Sequence, residues 1–456
     1  MASATEPPTD DGSAINISNV SKVVDPNWVA DEETPLLAEC PHRAADNEDE
    51  QEAWHTPSIN AWRFGCVNLT FLVMGMNDAS VGIEPYYGIS YRTVSTLFIV
   101  PFFGYVFAAV MNGWLHVTVG QRGIAIMGVV GRLTGYIPMA LHPRQFYLLP
   151  ICMFFTGFGN GVNGSSWNAW VGNLRNTNEL LGIIHGAYGV GGILGPLVAS
   201  YMVSKAGLSW YTYYYVMIGM STLELVLGAS SFWDATGAVY RQRHKIDEDG
   251  VAVSAKMILS KPTPWLVALF LFGYVGVEVS LGGWIPTFMI EVRHADSFTA
   301  GLVATMFWIG LALGRVVLGF ITGRIGEKMA VVAYLFLCAV FQVLYWMVPS
   351  VEASAISVAM LGFFLGPLFP AVIVVVTKLL PADQHVATIG LASAIGGSGA
   401  ALFPFMVGAI AEDSGVGVLQ PFILALIGSI ALIWLILPGG LRKGGLEKAR
   451  KERLSM

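Results

Sequence analysis

The sequence predicts an all-α integral membrane protein, with twelve transmembrane helices in two pseudo-symmetric six-helix bundles. Three observations carry that expectation. The 456-residue chain has a mean hydropathy of +0.61 and only 12% charged residues, about half the share of roughly 25% usual in globular proteins. Its apolar runs recur at the length of about 20 residues that a helix needs to cross a hydrocarbon core of about 30 Å. The two halves of the chain also repeat each other at a nearly constant offset.

Residues 1–61 are rich in Asp, Glu, Pro, Ser and Asn and carry no apolar leader segment, so they are expected to form a disordered, acidic cytoplasmic tail. Inside it, Glu32-Glu33-Thr34-Pro35-Leu36-Leu37 has the spacing of an acidic dileucine sorting signal, which makes Leu36 and Leu37 candidate contacts for a sorting adaptor. The N-terminal bundle is expected over 62–232, with spans near 62–82, 94–118, 122–141, 146–170, 180–203 and 210–232. A polar cytoplasmic loop, 233–262, follows. The C-terminal bundle is expected over 263–437, with spans near 263–290, 298–322, 329–349, 353–380, 385–410 and 419–437, and 438–456 is a basic cytoplasmic tail.

Orientation follows from Lys and Arg placement. With both termini cytoplasmic, the cytoplasmic loops and C-terminal tail hold 16 Lys/Arg, against four (Arg92, Arg144, Lys205 and Arg293) on the opposite side. Positive charge stays inside. Two anchors mark the internal repeat. Gly113-Trp114-Leu115 and Gly120-Gln121-Arg122 correspond to Gly319-Phe320-Ile321 and Gly326-Glu327-Lys328; Gly182, Gly189, Gly191 and Pro196 correspond to Gly390, Gly397, Gly399 and Pro404. Such repeats place a substrate site between the halves, near the membrane midplane. The four scattered cysteines point to neither a disulfide framework nor a zinc site. With no phosphate-binding loop, nucleotide fingerprint or metal cluster, no cofactor, enzymatic activity, nucleic-acid partner or ATP-driven step is expected.

The loop and glycine motifs resemble those of the major facilitator superfamily over about residues 62–440. GWLHVTVGQR retains the family's Gly113, Gly120 and Arg122 but has Val117 where an Asp is usual, and GFITGRIGEK retains Gly319, Arg324, Gly326 and Lys328, again without the Asp. That departure puts in doubt the charge latch this loop forms in outward-facing members. In helix 5, Gly182, Gly191, Gly195 and Pro196 match a glycine pattern associated with proton-antiporting exporters, with Ala199 and Ser200 replacing its last two glycines. By contrast MGMNDASVG, FFTGFGNGVNG and IIHGAYGVGG in helices 1, 4 and 5 look more like a fungal branch near the fucose-permease-like group, whose members are expected to be proton-coupled sugar symporters. The two resemblances disagree about direction.

Ionisable groups inside a membrane are costly and therefore mark function or a buried partner. Asp78, next to Asn77 at the outer end of helix 1, is a candidate proton carrier, or else a solvated residue at the mouth. Glu278 in mid-helix 7, with Tyr274 one turn earlier, is a second candidate for proton coupling. His185 in helix 5 titrates near neutral pH and is a third. Arg132 in mid-helix 3 cannot lose its charge and needs an acid, either Asp78 or Glu224. Arg315 in helix 8 is expected to belong to the structural loop system. Asn160, Asn163 and Trp167 share an arc of about 60° on helix 4, suited to a polyhydroxylated ligand or to interhelical amide bonding. Asn77, Tyr188, Tyr274 and Trp284 complete the candidate substrate residues.

The expectation is a proton-coupled secondary transporter of a small polar organic solute, sugar-like first. An exporter of a secondary metabolite or drug is the runner-up and a non-transporting nutrient sensor a remote third. It is expected to act as a monomer in the plasma membrane, with the vacuolar membrane as the alternative.

Overall fold

A computed structural model of the chain describes residues 52–78, 91–244 and 260–454. The Leu36-Leu37 segment lies outside the described residues. In lipid every backbone N–H and C=O must be satisfied internally, which leaves helices for an open chain of this composition. The helices are α1 (Ile59–Asp78), a continuous run Tyr91–Ala140 holding α2 and α3, α4 (Leu148–Gly172), α5 (Thr177–Ser204) and α6 (Tyr213–Ser231). The second half holds α7 (Pro262–Glu291), α8 (Ser297–Ile325), α9 (Glu327–Met347), α10 (Val351–Leu365 and Leu368–Leu379), α11 (Ala382–Ser414) and α12 (Leu419–Ile436). By length and composition, eight helices among the described residues are apolar enough to cross a membrane. One of these, Val100–Ala140, contains two of the expected spans. The shorter or more polar α1, α4 and α6 occupy the remaining expected positions.

Local chemistry explains the boundaries. Gly120, at φ 67° and ψ −172°, splits the long run into α2 (91–119) and α3 (121–140). Its positive φ suits glycine. A Cβ there would also lie 2.2 Å from the Thr236 carbonyl carbon, because the short helix Gly237–His244 packs against the turn. Asp296 caps α8 by accepting from the backbone N–H groups of Phe298 (3.0 Å) and Thr299 (3.1 Å). The break in α10, absent from the sequence-based span, falls at Gly366-Pro367. Proline has no N–H to continue the ladder, and Gly366 admits the Leu311 carbonyl of α8 at 2.4 Å from where its Cβ would stand.

The repeat read from the glycines is realised as equivalent contacts in the two halves. Gly191 of α5 takes the Leu72 carbonyl of α1 at 2.1 Å from its virtual Cβ; Gly399 of α11 takes the Phe272 carbonyl of α7 at the same 2.1 Å. Toward the opposite bundle, Gly182 of α5 meets Arg315 and Gly319 of α8, while Gly390 of α11 meets Ala109 of α2. These small residues let helix backbones approach closely where hydrophobic burial alone gives no preference over lipid.

One boundary needs correction. Residues 52–60, assigned from composition to the disordered tail, are held against the bundle. Asn60 Nδ2 donates to Glu52 Oε2 (2.9 Å), and the Arg175 N–H donates to the Glu52 carbonyl (3.0 Å). Two such anchors outweigh a polar composition.

Candidate transport site

Among the described residues two buried ion pairs lie within the helices, and they sit in different places. Arg132 of α3 and Glu224 of α6 are 0% and 2% exposed, and Arg132 Nη2 donates to Glu224 Oε1 at 2.5 Å. The Thr70 hydroxyl of α1 donates to the same oxygen at 2.7 Å. Asn163 satisfies both ends of its amide with its oxygen toward Arg132 Nη2 (3.2 Å) and its nitrogen toward the Ile124 carbonyl (3.0 Å). Of the two acids the sequence left open for Arg132, the partner is Glu224. This pair is internal to the N-terminal half.

The second pair stands where the halves meet. Arg315 Nη2 lies 2.9 and 3.1 Å from the two oxygens of Glu278 and 3.5 Å from the Tyr274 hydroxyl. Its guanidinium sits over the ring of Tyr188, 5.5 Å from the centroid, and Tyr188 belongs to α5 of the other half. Arg315 is therefore not part of the loop between α8 and α9, as its sequence neighbours implied. It lies ten residues before the α8 end, on the face turned to α7 and α5.

One turn from Tyr188, His185 is buried and its Nε2 lies 2.9 Å from Asn168 Oδ1. The Asn168 amide nitrogen donates to the Gly164 carbonyl (2.8 Å), which fixes Oδ1 as the acceptor and Nε2–H as the donor. The His185 ring packs between Phe71 of α1 (5.1 Å) and Phe369 of α10 (4.9 Å), so it too bridges the halves. Tyr274 packs on Phe369 as well, at 6.3 Å.

Most of the other substrate candidates are engaged elsewhere. Two of the three α4 residues turn into their own bundle: Asn163 is held at the Arg132 pair, and Trp167 is 1% exposed and stacked on Phe232 at 4.6 Å. Asn160 is fully buried, and its amide has no partner among the described residues. Asn77 accepts from the Tyr136 hydroxyl of α3 at 2.8 Å. Trp284 donates to the Pro404 carbonyl of α11 at 3.1 Å, inside the C-terminal half. The reason is geometric: a polar arc on one helix does not say whether that side faces the helix's own bundle or the partner bundle. Asp78 ends α1, and its side chain lies outside the described residues.

One end of the bundle is sealed across the halves. Asn178 Nδ2 of α5 donates to Glu327 Oε1 at the start of α9 (2.8 Å); Lys378 pairs with Glu327 (3.0 Å) and with Glu447 of the C-terminal helix Gly445–Leu454 (2.8 Å). Gly172 packs on Thr377 at the same end. This network stands beside the loop motif that lacks its usual Asp. Arg122 instead donates to the Trp233 carbonyl (3.2 Å) and lies over the Trp233 ring, 5.0 Å from its centroid. Arg324 is exposed at the end of α8. Asn168, Asn178, Glu327, Phe71 and Phe369 are absent from the sequence-based set of site residues. Only Glu327 carried a signal, as an acid beside Gly326 in the second loop copy.

Two six-helix halves joined by short-residue crossings, with a buried charged cluster between them, define a secondary transporter fold. The chain belongs to the Major Facilitator Superfamily, whose sequence profile matches residues 64–298 and 279–454. It is 30% identical over 416 residues to bypass of stop codon protein 6 of Saccharomyces cerevisiae, covering 84% of this chain and 83% of that protein. In structure it is similar to the transporter FucP in the outward conformation (TM-score 0.65, 12% identity, 83% of this chain and 99% of that one). It is also similar to the proton:xylose symporter XylE (TM-score 0.67, 12% identity, 88% and 100%). The protein is a multi-pass membrane transporter, not an enzyme.

Proposed function

We propose that this protein is a proton-coupled secondary transporter of a small polar organic solute, working by rocking its two halves around the cluster of His185, Tyr188, Tyr274, Glu278 and Arg315. The observation that carries the reading is the Glu278–Arg315 pair lying under Tyr188 of the opposite half. A proton on Glu278 dissolves the ion pair at the surface where the halves separate, so protonation biases which end is open. Glu278 is the coupling residue in this reading, and His185, hydrogen-bonded to Asn168, stands one turn from Tyr188.

With Lys and Arg on the cytoplasmic side, the sealed Asn178–Glu327 end is cytoplasmic. The sealed state is then outward-facing, in keeping with the similarity to FucP in the outward conformation. The similarity to the proton:xylose symporter XylE favours a sugar-like solute. The α4 arc no longer argues for one, because Trp167 is spent on Phe232. The helix 5 glycines that suggested an exporter meet α1 and α8, so they speak for packing rather than direction. Plasma membrane is the proposed address, with Leu36 and Leu37 as the adaptor contacts.

The test is uptake into proteoliposomes under an imposed pH gradient, screened over hexoses, pentoses and lipophilic cations. Gradient-driven accumulation is expected for the wild type and lost in Glu278→Gln. Intact accumulation in that variant would remove Glu278 from the coupling.

A further inference from the structure

We propose that the carried solute is an organic anion, a carboxylate or a group of like charge, that takes the place of Glu278 on Arg315 when Glu278 receives a proton. This rests on the transport reading above and replaces its sugar-like preference with a charged substrate class. The charged and titratable groups around the Glu278–Arg315 pair are Tyr274 of α7, which meets both, and Tyr188 and His185 of α5, which face Arg315. Among these described neighbours Glu278 is the one carboxylate. The site is neutral while Glu278 is ionised.

Arg315 keeps its charge at every accessible pH. A proton bound at Glu278 therefore leaves one uncompensated cation, buried and 4% exposed, at the surface that must close during the transport cycle. Closing over an unpaired buried charge is strongly disfavoured. A monoanion restores neutrality, whereas a neutral solute does not. In the exchange an O–H bond forms on the Glu278 carboxylate and its contacts to Arg315 Nη2 break. The N–H donors then turn to the anion, and nothing is oxidised or reduced.

The guanidinium is prepared for such a partner. Glu278 engages a single nitrogen, Nη2, while Nε is buried and has no partner among the described residues. The planar fork can therefore present a second donor to a carboxylate, the geometry in which arginine binds anions most strongly. Because the same guanidinium lies over Tyr188, the exchange is made at the interface between the halves. One proton moving with one monoanion carries no net charge across the membrane.

The test uses the purified full-length protein and a panel of monocarboxylates, lactate and benzoate among them. Each is paired with its amide, and glucose, xylose and fucose serve as neutral probes. The readout is the ligand-induced shift of the thermal unfolding midpoint at mildly acidic and mildly alkaline pH. At least one carboxylate is expected to stabilise the protein while its amide and the sugars do not. Its affinity should weaken about tenfold per pH unit once Glu278 is ionised, because one proton is linked to binding. In Glu278→Gln that affinity should be independent of pH. The double variant Glu278→Gln/Arg315→Gln, which buries no charge and so keeps the fold, should bind no anion. Stabilisation by a neutral probe instead of anions, by no anion at all, or by anions in the double variant overturns the proposal. Uptake separates the two readings. A sugar accumulated under a pH gradient would keep the transport reading and sink this one; an anion that binds at Arg315 but is not moved by the gradient would keep the anion site and sink both proton-coupled transport and the anion as its cargo.

Discussion

Replacing Glu224 by glutamine tests the reading of the N-terminal pair as structural. The change keeps the shape of the side chain and removes its charge. Arg132, fully buried, then loses the carboxylate oxygen that it meets at 2.5 Å, and the Thr70 hydroxyl and Asn163 are the remaining polar groups around it. Breaking one side of a buried pair costs about 3–5 kcal/mol, because the other charge is left uncompensated. Removing both charges together is close to neutral when the volume is kept. Thermal inactivation in detergent should therefore be much faster for Glu224→Gln than for the wild type, and Glu224→Gln/Arg132→Met should recover most of the loss. A single variant as stable as the wild type, or a double variant no better than the single, would refute Glu224 as the counter-ion of Arg132.

Further predictions follow from other contacts. Gly191→Leu sets a Cβ 2.1 Å from the Leu72 carbonyl; overpacking of this kind costs about 1–3 kcal/mol, and expression of folded protein should drop sharply. Asn178→Ala removes a hydrogen bond to a charged carboxylate, worth about 1.5–3 kcal/mol, across the sealed end. Spin labels at Arg175 and Arg324 should then report longer distances, and an unchanged distance distribution would contradict the latch. Burial works to raise the Glu447 carboxyl, but its hydrogen bond and charge pairing with Lys378 hold it below its usual value of 4.5. Its contribution to docking the C-terminal helix is thus full above that value and is lost as pH falls below it. Hydrogen exchange over Gly445–Leu454 should rise on acidification in the wild type and be high at all pH values in Lys378→Ala.

The fold was almost wholly legible in the sequence. Span length and hydrophobicity are one-dimensional properties, and the Gly182 and Gly390 series recur because equivalent crossings need equivalent small residues. The candidate site was half legible. Glu278, Tyr274, His185 and Tyr188 announced themselves as polar groups on otherwise apolar helices. Which acid pairs with which base did not, because pairing depends on the rotation of each helix about its axis. That rotation put Trp167 on Phe232 and Asn163 on Arg132, away from the partner bundle. Asn178 and Glu327 lie far apart in sequence and meet only when the halves close. The missing Asp of the loop motif gave no hint of where a replacement latch would form.

Proton movement during transport tests the central claim most directly, that Glu278 couples a proton to the rocking of the two halves. In lightly buffered proteoliposomes, solute entry through the wild type should alkalinise the outside with one proton per solute. Glu278→Gln should exchange solute across the membrane with no accompanying proton. An unchanged proton flux in that variant, or solute entry through the wild type with none, would contradict the account.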